Sequence, residues 1–197
     1  MSKSIYRLRV RAIVVAGIAA SAVLLTSIPA SATIVTSGYD TSTSTGSIGK
    51  NAAPGGNVTR AQTMARAADW VKAKVPYSES EGWKDSGTGG PYRIDCSGFV
   101  SMAWQLKDSH VTQTLPQVAN TIKWADLQPG DALDYEAEHV ILFAAWIDKS
   151  KGTFSYYAEN NPSVKTGKYT DGNEHASYLD GWPTGDYTPL RYKHITS

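Results

Sequence analysis

Asp95-Cys96-Ser97-Gly98-Phe99-Val100 contains the only cysteine in the chain. The thiol therefore has no partner for an internal disulfide and no second sulfur for a paired-cysteine metal clamp. Upstream runs a turn-forming stretch, Ser86-Gly87-Thr88-Gly89-Gly90-Pro91-Tyr92. Downstream, Cys96, Phe99, Val100 and Ala103 recur at i, i+3, i+4 and i+7, one face of a helix expected to run to about Lys107. The thiol then falls in the first helical turn, where unpaired N–H groups and the positive helix end favour thiolate over thiol. A lone cysteine also reads as a small buried hydrophobe. The rest of the chain decides between the two.

At the N-terminus, Lys3, Arg7, Arg9 and Arg11 precede an apolar run from Ala12 to Ile28, and Pro29-Ala30-Ser31-Ala32 ends in a small-x-small pattern. Residues 1–32 read as a secretory signal peptide, the alternative being a membrane anchor. The expected destination is extracellular, free or associated with the cell wall. Thr33 to Gly56 is rich in Ser, Thr, Gly and Ala and reads as a flexible leader. Residues 57–197 are long enough for one domain with a sizeable core. A net charge of +1, without any run of lysine or arginine, offers nothing for nucleic acid or a polybasic membrane contact. After signal removal no membrane contact is expected, and a monomer is the expected state. An exported chain that keeps one unpaired thiol gives it a task, either catalysis or an intermolecular bridge.

Met64, Ala68, Val71 and Val75 mark the stripe of an amphipathic helix, opened by Asn57 or Thr59 as N-cap and stopped by Pro76. A long loop then leads to Cys96. A short helix is expected over Thr114 to Asn120. Leu127-Gln128-Pro129-Gly130-Asp131 is a turn signal introducing strands at Ala132–Tyr135 and His139–Ile147. The turn at 148–152 makes a hairpin with Thr153–Glu159, and a last strand is expected near Tyr187–Tyr192. Helices first and an antiparallel sheet after make an α+β pattern.

A thiol attacking an amide needs a base, and the base needs a group to orient it. Of the four histidines, His110, His175 and His194 sit among polar residues and read as surface side chains. His139 opens the most apolar strand, just after Glu136 and Glu138, where it can stand beside the start of a helix packed across that strand. It also reads as an ordinary histidine at a strand end.

Taken in order, Asp95 to Val100, Leu127 to Asp131 and His139-Val140 resemble the NlpC/P60 family of cell-wall cysteine peptidases, over roughly Thr59 to Pro162. The resemblance implies a reduced papain-like fold and hydrolysis of peptide bonds in peptidoglycan stems through a thioester. It implies Cys96 as nucleophile and His139 as base. The Cys96 N–H and the hydroxyl of Tyr77 would help the oxyanion, with Asp95 and Ser97 shaping the substrate pocket. The third polar residue of that family would fall in the turn near Lys151, so the orienting group is sought further on. Strand parity gives Glu159 or Asn161 if Ile147 pairs with Thr153, and Asn160 if it pairs with Gly152. Glu159 is preferred because a carboxylate best stabilises an imidazolium, with Asn160 as the alternative. The tail Trp182-Pro183-Thr184-Gly185-Asp186-Tyr187 does not fit the family pattern and reads as structural packing or a groove wall.

The same cysteine and histidine also suit an amidase cutting the sugar–peptide bond or an acyltransferase. A non-catalytic wall-binding domain is the alternative from another class. Dispersed histidines and the lack of an HExxH or paired-cysteine spacing leave no metal site to expect. Gly87-Thr88-Gly89-Gly90 reads as a loop, so no nucleotide or other cofactor is expected.

Overall fold

The computed structural model describes residues 33–35, 54–85, 89–164 and 166–197. The signal peptide expected over residues 1–32 lies outside the described residues. In chain order the elements are β1 (Thr33–Val35), β2 (Val58–Thr59), α1 (Arg60–Ala73), β3 (Ser78–Asp85), β4 (Gly89–Ile94), α2 (Cys96–Ala103), α3 (Leu115–Val118) and β5 (Ala119–Thr121). The second half holds β6 (Ala132–Tyr135), β7 (His139–Asp148), β8 (Thr153–Glu159), β9 (Thr166–Asn173), β10 (Tyr178–Leu179), β11 (Trp182–Pro183), β12 (Thr188–Tyr192) and β13 (Ile195–Thr196). The main sheet runs β5-β12-β6-β7-β8-β9 with antiparallel neighbours. Helices lead and the antiparallel sheet follows, so the architecture is α+β.

Alternation along β7 divides the interior into two cores. Val140, Leu142 and Ala144 face α1 and α2, packing with Trp70, Phe99 and Val100. Ile141 and Phe143 face the other way, onto Phe154, Tyr156 and the tail residues Leu179 and Tyr187. This two-sided burial is what a strand apolar on both faces requires.

Thr59 caps α1 in a reciprocal capping box with Gln62. The buried face of α1 is Thr63, Arg66, Ala67 and Trp70, rotated from the expected Met64-Ala68-Val71 stripe. The indole of Trp70 dominates that choice, and Arg66 follows it inward because its Nε donates to the Met102 carbonyl at 2.7 Å. The helix stops at Lys74 in the left-handed region (φ 54°), one residue before Val75.

Two expectations are corrected upstream of Cys96. The long loop is instead the β3–β4 hairpin, which buries Trp83, Tyr92 and Ile94. The leader is not wholly without structure, because β1 pairs in parallel with β3.

Helix α2 ends at Ala103, short of Lys107, because Gln105 turns left-handed (φ 56°). Its start is fixed tightly: a Cβ on Gly98 would lie 2.0 Å from the Arg93 carbonyl oxygen. Only glycine lets α2 approach β4 that closely.

The Pro129-Gly130-Asp131 turn is a structural joint. Asp131 is fully buried and takes hydrogen bonds from Arg60 Nη1 at 3.0 Å, Arg191 Nε at 3.0 Å and Nη2 at 2.7 Å, and the Gln128 N–H at 2.8 Å. The Gly130 carbonyl accepts from Trp104 Nε1 at 2.7 Å. One turn thereby ties α1, the end of α2 and β12 together.

Gly98→Ala is expected to destabilise the domain by about 3 kcal/mol, because backbone and not a flexible side chain must give way. Equilibrium urea unfolding measures it, and an unchanged midpoint would contradict the close approach.

Candidate active site

Asp95 is the N-cap of α2. Its Oδ1 accepts from the Gly98 N–H at 2.7 Å and the Ser97 hydroxyl at 3.1 Å, and its Oδ2 from Arg93 Nε at 2.7 Å. Arg93 Nη2 also donates to Ser97 Oγ at 2.8 Å. Asp95 and Ser97 are both buried. Their polar atoms are spent on one another and on Arg93, so they form the floor beneath the cysteine and do not offer free groups to a substrate.

The cap leaves Cys96 as the first helical residue, partly exposed, with the backbone N–H groups of Val140 and Ser97 near enough to its sulfur to favour the thiolate. Val140 adjoins His139, so the thiol rests against the opening of β7. The expected thiolate is not the resting form. Burial, and then the Asp95 carboxylate, push the Cys96 pKa up to about 12, outweighing the two N–H groups and Arg93. The helix start solvates the sulfur, but the cap residue opposes its charge.

His139 pairs across the ladder with Tyr135 and turns toward the second core. Its Nε2 meets Asp180 Oδ2 at 2.9 Å. A carboxylate only accepts, so Nε2 carries a proton in this contact. Asp180 Oδ1 also accepts from the Tyr156 hydroxyl at 3.2 Å and from Asn160 Nδ2 at 3.1 Å.

The group on the imidazole is therefore Asp180, not Glu159 or Asn160. Leu142 lies opposite Tyr157, with irregularities between Phe143 and Ala145 and again between Trp146 and Asp148. Neither register considered for Ile147 occurs, since Asp148 meets Thr153 and Trp146 meets Phe154. Glu159 shares the face of Tyr157, on the α1–α2 side, away from the imidazole. It is fully buried, and burial pushes its pKa well up. The hydroxyl of its ladder neighbour Thr166 donates to the Val75 carbonyl. Asn160 supports Asp180 instead, and Asn161 Oδ1 closes a turn on the N–H groups of Ser163 and Val164.

Asp180 sits at φ 49° and Gly181 at φ 88°, between the paired Leu179 and Trp182. Two positive φ values in a two-residue loop define a type I′ hairpin, for which Asp-Gly is a favoured dipeptide. That dipeptide was the available sequence signal.

Three further side chains surround these groups. Tyr77 is half-buried beside Cys96 and Asp95, and its hydroxyl donates to Glu79 Oε1 at 3.0 Å. Burial and Glu79 raise its pKa. Buried Tyr187 donates to the Leu179 carbonyl at 3.1 Å, and burial followed by the charges of Asp180, Cys96 and Asp134 raises its pKa. One phenol thus senses both the sulfur and the carboxylate on His139. Asp134, opposite Val140 on β6, is pushed up to about 8 by burial and then by Glu136.

No family model matches the chain, and no curated protein matches it either.

Two measurements follow from these charges. Alkylation of Cys96 is expected to be slow at neutral pH and to climb past pH 10 without an earlier plateau. Asp95→Asn, which keeps a capping side chain, is expected to raise the rate at pH 8 by roughly tenfold. A plateau near neutrality in the wild type would refute the assignment.

For Asp134 the folded pKa lies above the ordinary carboxylate value of 3.8, so the folded state holds the extra proton. Its contribution is full below about pH 4 and falls as the pH rises toward about 8. Asp134→Asn is expected to flatten unfolding free energy across that window, relative to wild type, by a few kcal/mol.

Proposed function

We propose that the protein is a secreted cysteine peptidase of the NlpC/P60 type, hydrolysing peptide bonds in peptidoglycan stems. Its fold is read as a reduced papain-like one, with the nucleophile opening a helix and the base opening a strand of the facing antiparallel sheet. One observation carries the proposal. The backbone N–H of Val140, next to His139, stands near enough to the Cys96 sulfur to favour its thiolate, while Nε2 of that histidine meets Asp180 Oδ2 at 2.9 Å. The motifs of the sequence and the export signal supply the substrate class.

In this reading the resting pair is neutral. As substrate arrives, His139 Nδ1 takes the proton from Cys96 and the thiolate attacks the peptide carbonyl. Asp180 stabilises the imidazolium by accepting from Nε2. The N–H of Cys96, at the free end of α2, faces the developing oxyanion, with the Tyr77 hydroxyl beside it. Collapse transfers the proton from Nδ1 to the leaving amine and leaves a thioester on Cys96. Water then attacks the thioester, giving its proton to Nδ1, and the thiol is restored as the acid leaves.

Incubation of the mature chain with purified peptidoglycan, followed by mass spectrometry of soluble fragments, tests the reading. Cys96→Ala is expected to release none. Asp180→Asn, which suits the left-handed turn, is expected to lower kcat by about 10²–10⁴-fold. Fragments identical between wild type and Cys96→Ala would overturn the proposal. Fragment masses also separate peptide-bond cleavage from sugar–peptide cleavage.

A further inference from the structure

At the far end of β7 from His139, by the turn into β8, lies a second cavity, of about 410 Å³, lined by Trp124, Glu174, His175 and Thr184 among others. Trp124 opens the single 3-10 turn Trp124–Asp126. The next three carbonyls are each held by a side chain from outside that turn. Ala125 accepts from Lys149 Nζ at 2.6 Å, Asp126 from Arg191 Nη2 at 2.6 Å and Leu127 from Trp146 Nε1 at 3.3 Å. The indole also packs on Phe154, with ring centroids 6.3 Å apart, and stays partly exposed. An aromatic face held this firmly in a cavity wall is a preorganised platform. Glu174 and His175 follow the end of β9. The Glu174 N–H donates to the Gly152 carbonyl at 3.0 Å. Both side chains lie against Gly152, where an added Cβ would stand 2.6 Å from Glu174 Cγ and 2.9 Å from His175 Nε2. Glu174 Oε1 is 3.6 Å from that Nε2. An entering cation therefore competes with the imidazole for the carboxylate, and an entering anion is repelled by it. Thr184 is 6% exposed, and its Oγ1 has no hydrogen-bond partner among the described residues. A ligand that satisfies these groups is uncharged, carries several hydroxyls and has an apolar face for the indole.

We propose that this cavity binds a neutral sugar, one pyranose ring of a saccharide chain. The C–H groups on one face of such a ring form an apolar patch that packs on the electron-rich face of Trp124. Its hydroxyls donate to the Glu174 carboxylate and exchange hydrogen bonds with His175 and Thr184, directly or through one water. The inference rests on the cavity and does not depend on the chemistry at Cys96.

The test uses full-length mature protein carrying Cys96→Ala, so that no turnover intervenes. Three probes are titrated by calorimetry: the β-1,4-linked tetramer of N-acetylglucosamine, the β-1,4-linked tetramer of glucose, and Nα-acetyl-lysine amide. At least one tetramer is expected to bind with a Kd of about 1 mM or tighter, equally at low and at physiological salt because the ligand carries no charge. Binding of the first tetramer alone assigns the ligand to N-acetylated glycan, and binding of both to β-1,4-linked chains in general; either result supports the inference. Trp124→Ala is expected to abolish the binding. Because Trp124 also packs on Phe154, Glu174→Gln is measured beside it, and is expected to weaken the tetramer about tenfold without shifting the melting temperature. Absence of binding by both tetramers, preference for the lysine probe, or an affinity unaltered in Glu174→Gln would overturn the inference. Such a failure in a protein that still cleaves peptidoglycan leaves the peptidase reading standing, whereas sugar binding by a protein that cleaves nothing does the reverse.

Discussion

The placement of Cys96 follows from how closely α2 approaches β4. Gly98 lies against the Arg93 carbonyl where no side chain fits, and Asp95 caps the same residue from the other end of the turn. Arg93 then closes the arrangement by bonding Asp95, Ser97 and the His110 carbonyl. A backbone held at three points cannot shift the first helical residue sideways. The backbone of Cys96 is thereby held beside Val140.

The same capping carboxylate sets the chemistry of the thiol. Helix starts usually lower a cysteine pKa, yet here burial and the Asp95 charge outweigh the N–H groups on the sulfur. A thiol kept protonated is a poor target for oxidants. In the proposed reaction the nucleophile is therefore made only as substrate arrives. In that proposal the base is His139, whose Nε2 is bonded to the Asp180 carboxylate.

How much of this the sequence reveals depends on whether the cause is local. The helix face of Cys96, Phe99, Val100 and Ala103, the Thr59 cap and the two-sided strand from His139 all express short-range patterns, and they stand in the structure. The β3–β4 hairpin hid behind a glycine-rich run that also describes a loop. The third group was sought on β8 because parity along a hairpin is legible only when the ladder is regular. The irregularities between Phe143 and Ala145 and between Trp146 and Asp148 break that count. Asp180 was legible as a turn residue, since Asp-Gly between Leu179 and Trp182 is a hairpin signal. What sequence spacing did not show is that this turn lands on an imidazole 41 residues earlier.

Delivery of the orienting carboxylate by a separate hairpin changes what the tail is for. A residue on β8 would be placed by the sheet itself. Asp180 is placed by β10 and β11, whose Leu179 and Trp182 pack into the second core beside Tyr135 and Tyr187. The strand that follows, β12, is fastened by Arg191 to Asp131, the residue that also holds Arg60 of α1. The turn motif and the tail are therefore two ends of one ion-paired joint. Weakening that joint would loosen the tail on the sheet, and with it the carboxylate on His139, before it disturbed the cysteine, whose own position depends on β4. Cys96 and Asp180 are thus positioned mainly by different elements, α2 against β4 and the β10–β11 hairpin.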